Sequence, residues 1–353
     1  MPGNDQLSTA DREAESADDV DSRADRPGST GEHVLQEQLG TVDRAEAFYD
    51  SAMQHELTER MAEFLSERWL GFLGGVDERP VTAPCVGDPG FVRIVDADEI
   101  AWPATAVVEA GRPLVASGEE RFLSLVTVDW WDTTVGLHVN GVGTRRSTAP
   151  AGVDADPGTD WYVLDVEEAY IHCAKHLPEL DAAEAGVVDD TAPRQDRYDD
   201  LTPTVERFIG SQVMAFLATA DHDGETDISP RLGPAGFVQL LDEETLAWPE
   251  YRGNGVHASL GNIAETGVAT LTFPDWWNTE AIVEVAGRAT LHDEVAGATD
   301  LTDVDRTKQW VRMDVERVTV TREPPLPALS VAAFDPPWGT DDDDAKKSGF
   351  FVD

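Results

Sequence analysis

Lysine is nearly missing from this chain. Only Lys175, Lys308, Lys346 and Lys347 occur in 353 residues, and 69 acidic residues against 26 basic ones give a formal net charge of −43. With no basic patch to release counterions from phosphates, binding along a nucleic-acid backbone is excluded. Such self-repulsion weakens a compact fold at low ionic strength, whereas in molar salt the Debye length shrinks to ~3 Å. The acidic, halophilic-type composition therefore reads as adaptation to concentrated salt; an acidic tail meeting a basic partner is the other reading. Cysteine is as scarce. Cys85 and Cys173 cannot make a disulfide framework, and His172, Cys173 and His176 lack a fourth ligand for tetrahedral zinc, so no metal is expected. No apolar run approaches the ~18 residues of a membrane span. The acidic first residues also lack the basic and apolar regions of a signal peptide, so a cytoplasmic protein is expected.

Composition divides what remains. Residues 1–42 are rich in Asp, Glu, Ser, Gly and Arg, bury too little to offset chain entropy, and read as a disordered acidic tail. From Val42, Phe48, Met53, Leu57, Met61, Phe64 and Leu65 recur at helical spacing. Two folded units follow, 43–185 and 203–322, joined by a polar linker over 186–202. After Arg322, Pro324, Pro325 and Pro327 end the sheet, and a Pro-rich, acidic tail runs over 323–353.

The two units are copies. An offset of 146 carries Gly90-Phe91-Val92 onto Gly236-Phe237-Val238, and Ala101-Trp102-Pro103 onto Ala247-Trp248-Pro249. It also carries Asp129-Trp130-Trp131 onto Asp275-Trp276-Trp277 and Gly141 onto Gly287; Trp161 and Trp310 then match at 149. In the second copy, short apolar runs broken by Gly and Pro predict strands over 213–220, 225–231, 236–241, 245–248, 268–273, 281–292 and 309–321. An Asp-Gly turn at 223–224 and a short helix over 257–265 join them. About six strands with one or two small helices predict a mainly β unit, a closed antiparallel barrel, repeated in tandem.

One polar set stands out. Ser229 and Arg231 end a strand; Tyr251, Arg252, Gly253 and Asn254 form a glycine-flanked loop; His257, Ser259 and Asn262 start a helix. Arginine forks and free N–H groups at a helix start suit a phosphate. In the first copy Arg231, Arg252, Gly253, Asn254, Ser259 and Asn262 are replaced by Cys85, Ala106, Val107, Val108, Pro113 and Ala116, while Phe91, Trp102 and Pro103 persist. The first copy instead keeps Tyr170-Ile171-His172-Cys173-Ala174-Lys175, which the second lacks. Each copy holds a different half, so one composite site is expected between them. The Asp-Trp-Trp motifs occur in both copies and read as structural.

Ser-Pro-Arg-Leu-Gly-Pro-Ala-Gly-Phe-Val, Trp-Pro-x-Tyr-Arg-Gly-Asn, Ser-Leu-Gly-Asn-Ile and Tyr-x-His-Cys-x-Lys together resemble the pyridoxamine 5′-phosphate oxidase-like, FMN-binding split-barrel family. The resemblance covers about 270 residues and is strongest over 204–292. It implies two tandem split β-barrels forming an intramolecular pseudo-dimer with one competent site of two. Cofactor binding would fall to Ser229, Arg231, Tyr251, Arg252, Gly253, Asn254, Ser259 and Asn262, with Lys175 from the other copy. It implies a flavin-dependent oxidoreductase on a small-molecule substrate, with FMN as cofactor; the alternatives are the deazaflavin F420 and a non-catalytic flavin carrier or sensor. His172 and Lys175 are the candidates for catalysis. No residue identifies the substrate, and the pseudo-dimers leave further oligomerisation open.

Overall fold

Alternating apolar residues become two sheets with one connectivity in the computed structural model. It describes residues 26–108, 114–130, 135–154, 156, 158–172, 179–182, 193–251, 253–275, 281–301, 307–324, 326 and 329–333. Three helices come first: α1 (Thr30–Leu39), α2 (Val42–Ser51) and α3 (Glu59–Ser66). The first repeat then forms β1 (Leu70–Asp77), β2 (Arg79–Val86), β3 (Arg93–Asp96), β4 (Glu99–Pro103), β5 (Glu120–Val128), β6 (Gly136–Arg146) and β7 (Trp161–His172). After β8 (Glu179–Ala182), β9 (Arg194–Tyr198) and α4 (Pro203–Ile209), the second repeat forms β10 (Met214–Ala220), β11 (Thr226–Leu232), β12 (Gln239–Asp242) and β13 (Thr245–Tyr251). Helix α5 (Ala258–Thr266) follows, then β14 (Val268–Pro274), β15 (Ala281–His292), β16 (Thr307–Arg322) and β17 (Leu329–Ala333).

The strand orders are β2-β1-β5-β6-β7-β4-β3 and β11-β10-β14-β15-β16-β13-β12. Each strand in one order is the counterpart of the strand at the same place in the other, so the duplication read from the sequence is a duplication of topology. Consecutive β2 and β3, like β11 and β12, lie at opposite ends of their sheets, which leaves each barrel split. The repeats even share a β-bulge, at Asn140–Gly141 and at Ala286–Gly287. A Cβ on Gly141 would lie 2.0 Å from the Asp165 carbonyl oxygen, and one on Gly287 would lie 2.0 Å from that of Asp314. The matched glycines are therefore demanded by the close backbone approach at the bulge, not by any ligand. Trp102 and Trp248 are fully buried, one in each barrel core.

Four expectations change. Residues 30–39, assigned to a disordered tail, form α1, because Ser29 and Glu32 make a reciprocal capping box and Leu35 reaches the second repeat's core. The single helix expected from Val42 is two, α2 and α3, broken over 52–58. The polar linker contains β9, which pairs antiparallel with β16 and widens the second sheet to eight strands. Past the expected end of the sheet, β17 pairs with β8.

The repeats meet through a third apolar cluster formed by Trp69, Leu70, Phe72 and Trp130 of the first and Val213, Met214, Phe216 and Ile228 of the second. Phe72 and Phe216 stack with centroids 3.8 Å apart. They are equivalent residues: Phe72 lies opposite Pro84 in β1–β2, and Phe216 lies opposite Pro230 in β10–β11. Contact between equivalents is what a two-fold, self-complementary interface produces, here inside one chain. Trp130 of the first Asp-Trp-Trp motif is buried in this interface, while Asp129 pairs with Arg68 at 3.1 Å; 131, 276 and 277 lie outside the described residues. Phe216→Ala is expected to cost ~3–5 kcal/mol in urea unfolding. A double-mutant cycle with Phe72→Ala should give a coupling of roughly 0.5–1.5 kcal/mol; additive losses would remove the stack as a determinant.

Candidate functional site

Strand periodicity creates the site. On β11, Asp227, Ser229 and Arg231 share one face, while Ile228 on the opposite face enters the inter-repeat core. On α5, Ser259 and Asn262 are three residues apart and share a face. These elements build a row that is acidic at one end and basic at the other.

At the acidic end, Ser229 Oγ donates to Asp227 Oδ2 at 2.8 Å, Ser259 Oγ donates to the same oxygen, and the two hydroxyl oxygens lie 2.9 Å apart. Both serines are thus held by a buried carboxylate. Two further carboxyls act on this cluster. Glu168, on β7 of the first repeat, accepts from Asn140 Nδ2 at 3.1 Å. Glu32, on α1, accepts from Tyr49 Oη at 2.8 Å and from the Ser29 amide. Burial pushes Glu32 up to about 8, with the charges of Asp227 and Glu168 adding to the rise. Burial also raises Glu168, and Tyr170 beside it. Tyr170 stacks on His138 with centroids 4.6 Å apart and meets the edge of Phe48 from α2. Residues from both repeats and from the N-terminal helices therefore act on one cluster.

At the basic end, Arg231 Nε donates to Glu250 Oε1 at 2.7 Å, and Trp248 Nε1 donates to the same oxygen at 2.9 Å. Glu250 fixes the guanidinium from behind, and Nη1 reaches the Pro230 carbonyl. His257 precedes α5 with φ +67°, an uncommon conformation for a residue with a Cβ, and no side chain caps the helix. Its Nε2 is buried without a hydrogen-bond partner among the described residues. Burial lowers the His257 pKa; Glu250 opposes this, and the cations Arg44 and Arg231 reinforce it. An added Cβ on Gly253 would meet open space.

The N-terminal helices grip this same loop. Gln36 Nε2 donates to the Val256 carbonyl at 2.9 Å, Thr41 Oγ1 to that of Gly255 at 2.9 Å, and Arg44 Nη1 to that of Gly253 at 3.4 Å. Helices α1 and α5 cross backbone to backbone: a Cβ on Gly31 would lie 2.2 Å from the Gly261 carbonyl oxygen. The Gly31 amide donates to Glu265 across the crossing.

The expected residues separate accordingly. Arg231, Gly253 and Asn254 stand at the basic end, where Asn254 Oδ1 accepts from the Val256 amide. Ser229 and Ser259 stand on Asp227. Asn262 is buried beneath α5, donating to Thr219 Oγ1 at 3.2 Å. Tyr251 ends β13, its pKa raised by burial and by the charges of Asp300 and Glu250. Arg252 and Lys175 lie outside the described residues. His172 ends β7, and its side chain is not among those described. Sequence reasoning missed Glu32 and Arg44, distant in the chain, although Ser29-Thr30-Gly31-Glu32 is a legible capping box. It also missed Asp227 and Glu250, which alternate with expected residues on their strands.

Comparison with known proteins gives a family match over the second repeat. Residues 201–337 match the family described as pyridoxamine 5′-phosphate oxidase. No curated protein matches the chain. Among solved structures, HupZ from Group A Streptococcus is 22% identical, covering 33% of this chain and 90% of that one at a TM-score of 0.27. A putative pyridoxamine 5′-phosphate oxidase from Lactobacillus delbrueckii is 22% identical, covering 34% and 94%, at 0.26. An FMN-binding protein from Syntrophomonas wolfei is 12% identical, covering 33% and 82%, at 0.25. TM-scores this low carry no functional argument.

The raised carboxyl of Glu32 has a testable sign. Its folded pKa lies above its ordinary 4.5, so its contribution to stability is complete below pH ~4.5 and is lost as pH climbs towards 8. Glu32→Gln is expected to match the native chain near pH 4.5 and to exceed it at pH 8, by at most about 5 kcal/mol. Denaturant unfolding across that window checks this; parallel pH profiles would remove Glu32 from the cluster. A smaller slope remains from Glu168, and from Glu284, which burial pushes up to about 7.

Proposed function

We propose, from the premise that residues 201–337 are a pyridoxamine 5′-phosphate oxidase-family domain, that the chain is a flavoprotein holding one FMN at the second repeat. The observation carrying this reading is the basic end of the row. A buried, unpartnered His257 Nε2, an arginine anchored from behind by Glu250 and an uncapped helix start converge on an open glycine loop. That donor set fits a phosphate. The first repeat, with Cys85 in place of Arg231 and Ala104 in place of Glu250, has none of it.

In this reading Arg231, His257 and the amides that open α5 hold the phosphate, and Arg44 adds charge from the N-terminal helices. The Ser229–Ser259–Asp227 group is an unsuitable seat for an anion, because three carboxyls act there; it lies further along the cofactor. Bound FMN supplies hydride exchange, and the chain supplies orientation and electrostatics. Tyr170 and Glu168 approach from the first repeat. The activity proposed is oxidoreduction of a small molecule.

Protein purified in high salt is expected to be yellow, or to gain thermal stability when FMN is added. Arg231→Ala should weaken FMN binding about 10–100-fold, the worth of a charge-assisted contact, whereas Arg93→Ala in the first repeat should leave it unchanged. Equal effects of the two would refute the one-site reading. Binding of F420 in preference to FMN would change the cofactor, and flavin binding with no reduction by a nicotinamide donor would make the protein a carrier.

A further inference from the structure

The segment that leads into each barrel is attached in the same way at one point and differently beyond it. The Leu57 amide donates to the Ala97 carbonyl at 2.7 Å, as the Leu201 amide does to that of Glu243 at 3.0 Å. Three residues earlier, Gln54 pairs with Ala169 of β7 where Tyr198 pairs with Val318 of β16, and Ala169 and Val318 are equivalent at the offset of 149. In the second repeat the pairing continues back from Tyr198 through the five residues of β9. In the first it stops at the single bridge of Gln54, and residues 42–51 form α2 instead of a strand. The chain upstream of Gln54 is thereby released from the sheet edge, and it is laid over the site.

What it covers is the row. The α1 backbone lies against Gly261 of α5, Phe48 meets the edge of Tyr170, and Glu32 stands close enough to Asp227 and Glu168 to feel their charges. Under this cover Asp227, Ser259 and Tyr170 are 7%, 3% and 9% exposed. Groups so enclosed meet a ligand only after something above them moves. The segment itself is the part built to move. Its apolar anchorage is small, Leu35 on the second core and a satellite cluster of Ala45, Tyr49 and Val256. Its grip on the loop is polar, through Gln36, Thr41 and Arg44 to backbone carbonyls, and its closure gathers three carboxyls. Segments held by few apolar contacts open below the free energy of global unfolding. We propose that residues 26–53 are a strap, hinged at Gln54–Leu57, that opens to admit the ligand of the second repeat and closes over it. The inference rests on the flavin reading above for the identity of that ligand.

Two measurements on the full-length protein in high salt test this. The first is stopped-flow mixing with FMN, followed by flavin fluorescence. Thr41→Val and Gln36→Ala each remove strap-to-loop bonding, and neither residue is assigned a contact with the cofactor. A gate governs entry and release alike, so each variant is expected to speed both about fivefold, with Kd held within about twofold. Faster release with an unchanged entry rate would make these residues ordinary parts of the binding surface and overturn the proposal. The second is native-state hydrogen exchange, which needs no ligand. The amides of α1 and α2 are expected to exchange together, at least about tenfold faster than those of β5–β7 and β14–β16, and faster still in Thr41→Val. Protection equal to that of the barrel strands overturns the strap whether or not flavin binds. Joint opening of α1 and α2 in a protein that takes up no FMN overturns the flavin reading alone and keeps the strap.

Discussion

Each barrel has an apolar outer face that it cannot bury alone. Phe72, Trp69 and Trp130 on one, and Phe216, Met214 and Ile228 on the other, are covered only when the two faces meet. Because the repeats share one topology, the meeting is two-fold, and equivalent phenylalanines stack on each other. Everything polar at the site depends on that closure. Ile228 faces the interface, so its neighbours Asp227 and Ser229 face the opposite side of β11. The same closure brings Glu168 and Tyr170 of β7 within electrostatic reach of Asp227. Without the apolar contact, these groups would belong to separate surfaces.

The N-terminal helices fasten the arrangement. Helix α1 lies on α5 at a glycine–glycine crossing, α2 sends Phe48 against Tyr170, and Gln54 exchanges two backbone hydrogen bonds with Ala169 of β7. One segment thus touches the glycine loop of the second repeat and β7 of the first. It also changes the electrostatics, adding the buried carboxyl of Glu32 at one end and the cation of Arg44 at the other. The residues expected to hold one cofactor thus form a row with opposite ends. The proposed phosphate position follows from which end can accept negative charge.

Duplication lets the copies diverge where the fold does not constrain them. The shared bulge holds Gly141 and Gly287 alike, since any Cβ there would strike a carbonyl. Trp248 gained Glu250 as an acceptor, which then positions Arg231; Trp102, with Ala104 two residues on, instead stacks its ring near Tyr162.

The sequence by itself determined the duplication, the strand alternation and the separation of framework residues from polar ones. All three are local or periodic, and they appear as repeated spacing: Trp102 with Trp248, Gly141 with Gly287, Arg231 against Cys85. It also named Arg231 and the Gly253–Asn254 loop as places for a phosphate. Only the tertiary structure decided what those residues face. Asp227 and Glu250 look like ordinary strand acids until strand pairing sets them against Ser229 and Arg231. Glu32 and Arg44 lie in or beside a segment whose composition reads as unfolded, and they reach the site because two glycines let α1 approach α5. Such partners come from chain segments hundreds of residues apart, and burial, which sets their charge, is a property of the packed whole rather than of any stretch of sequence.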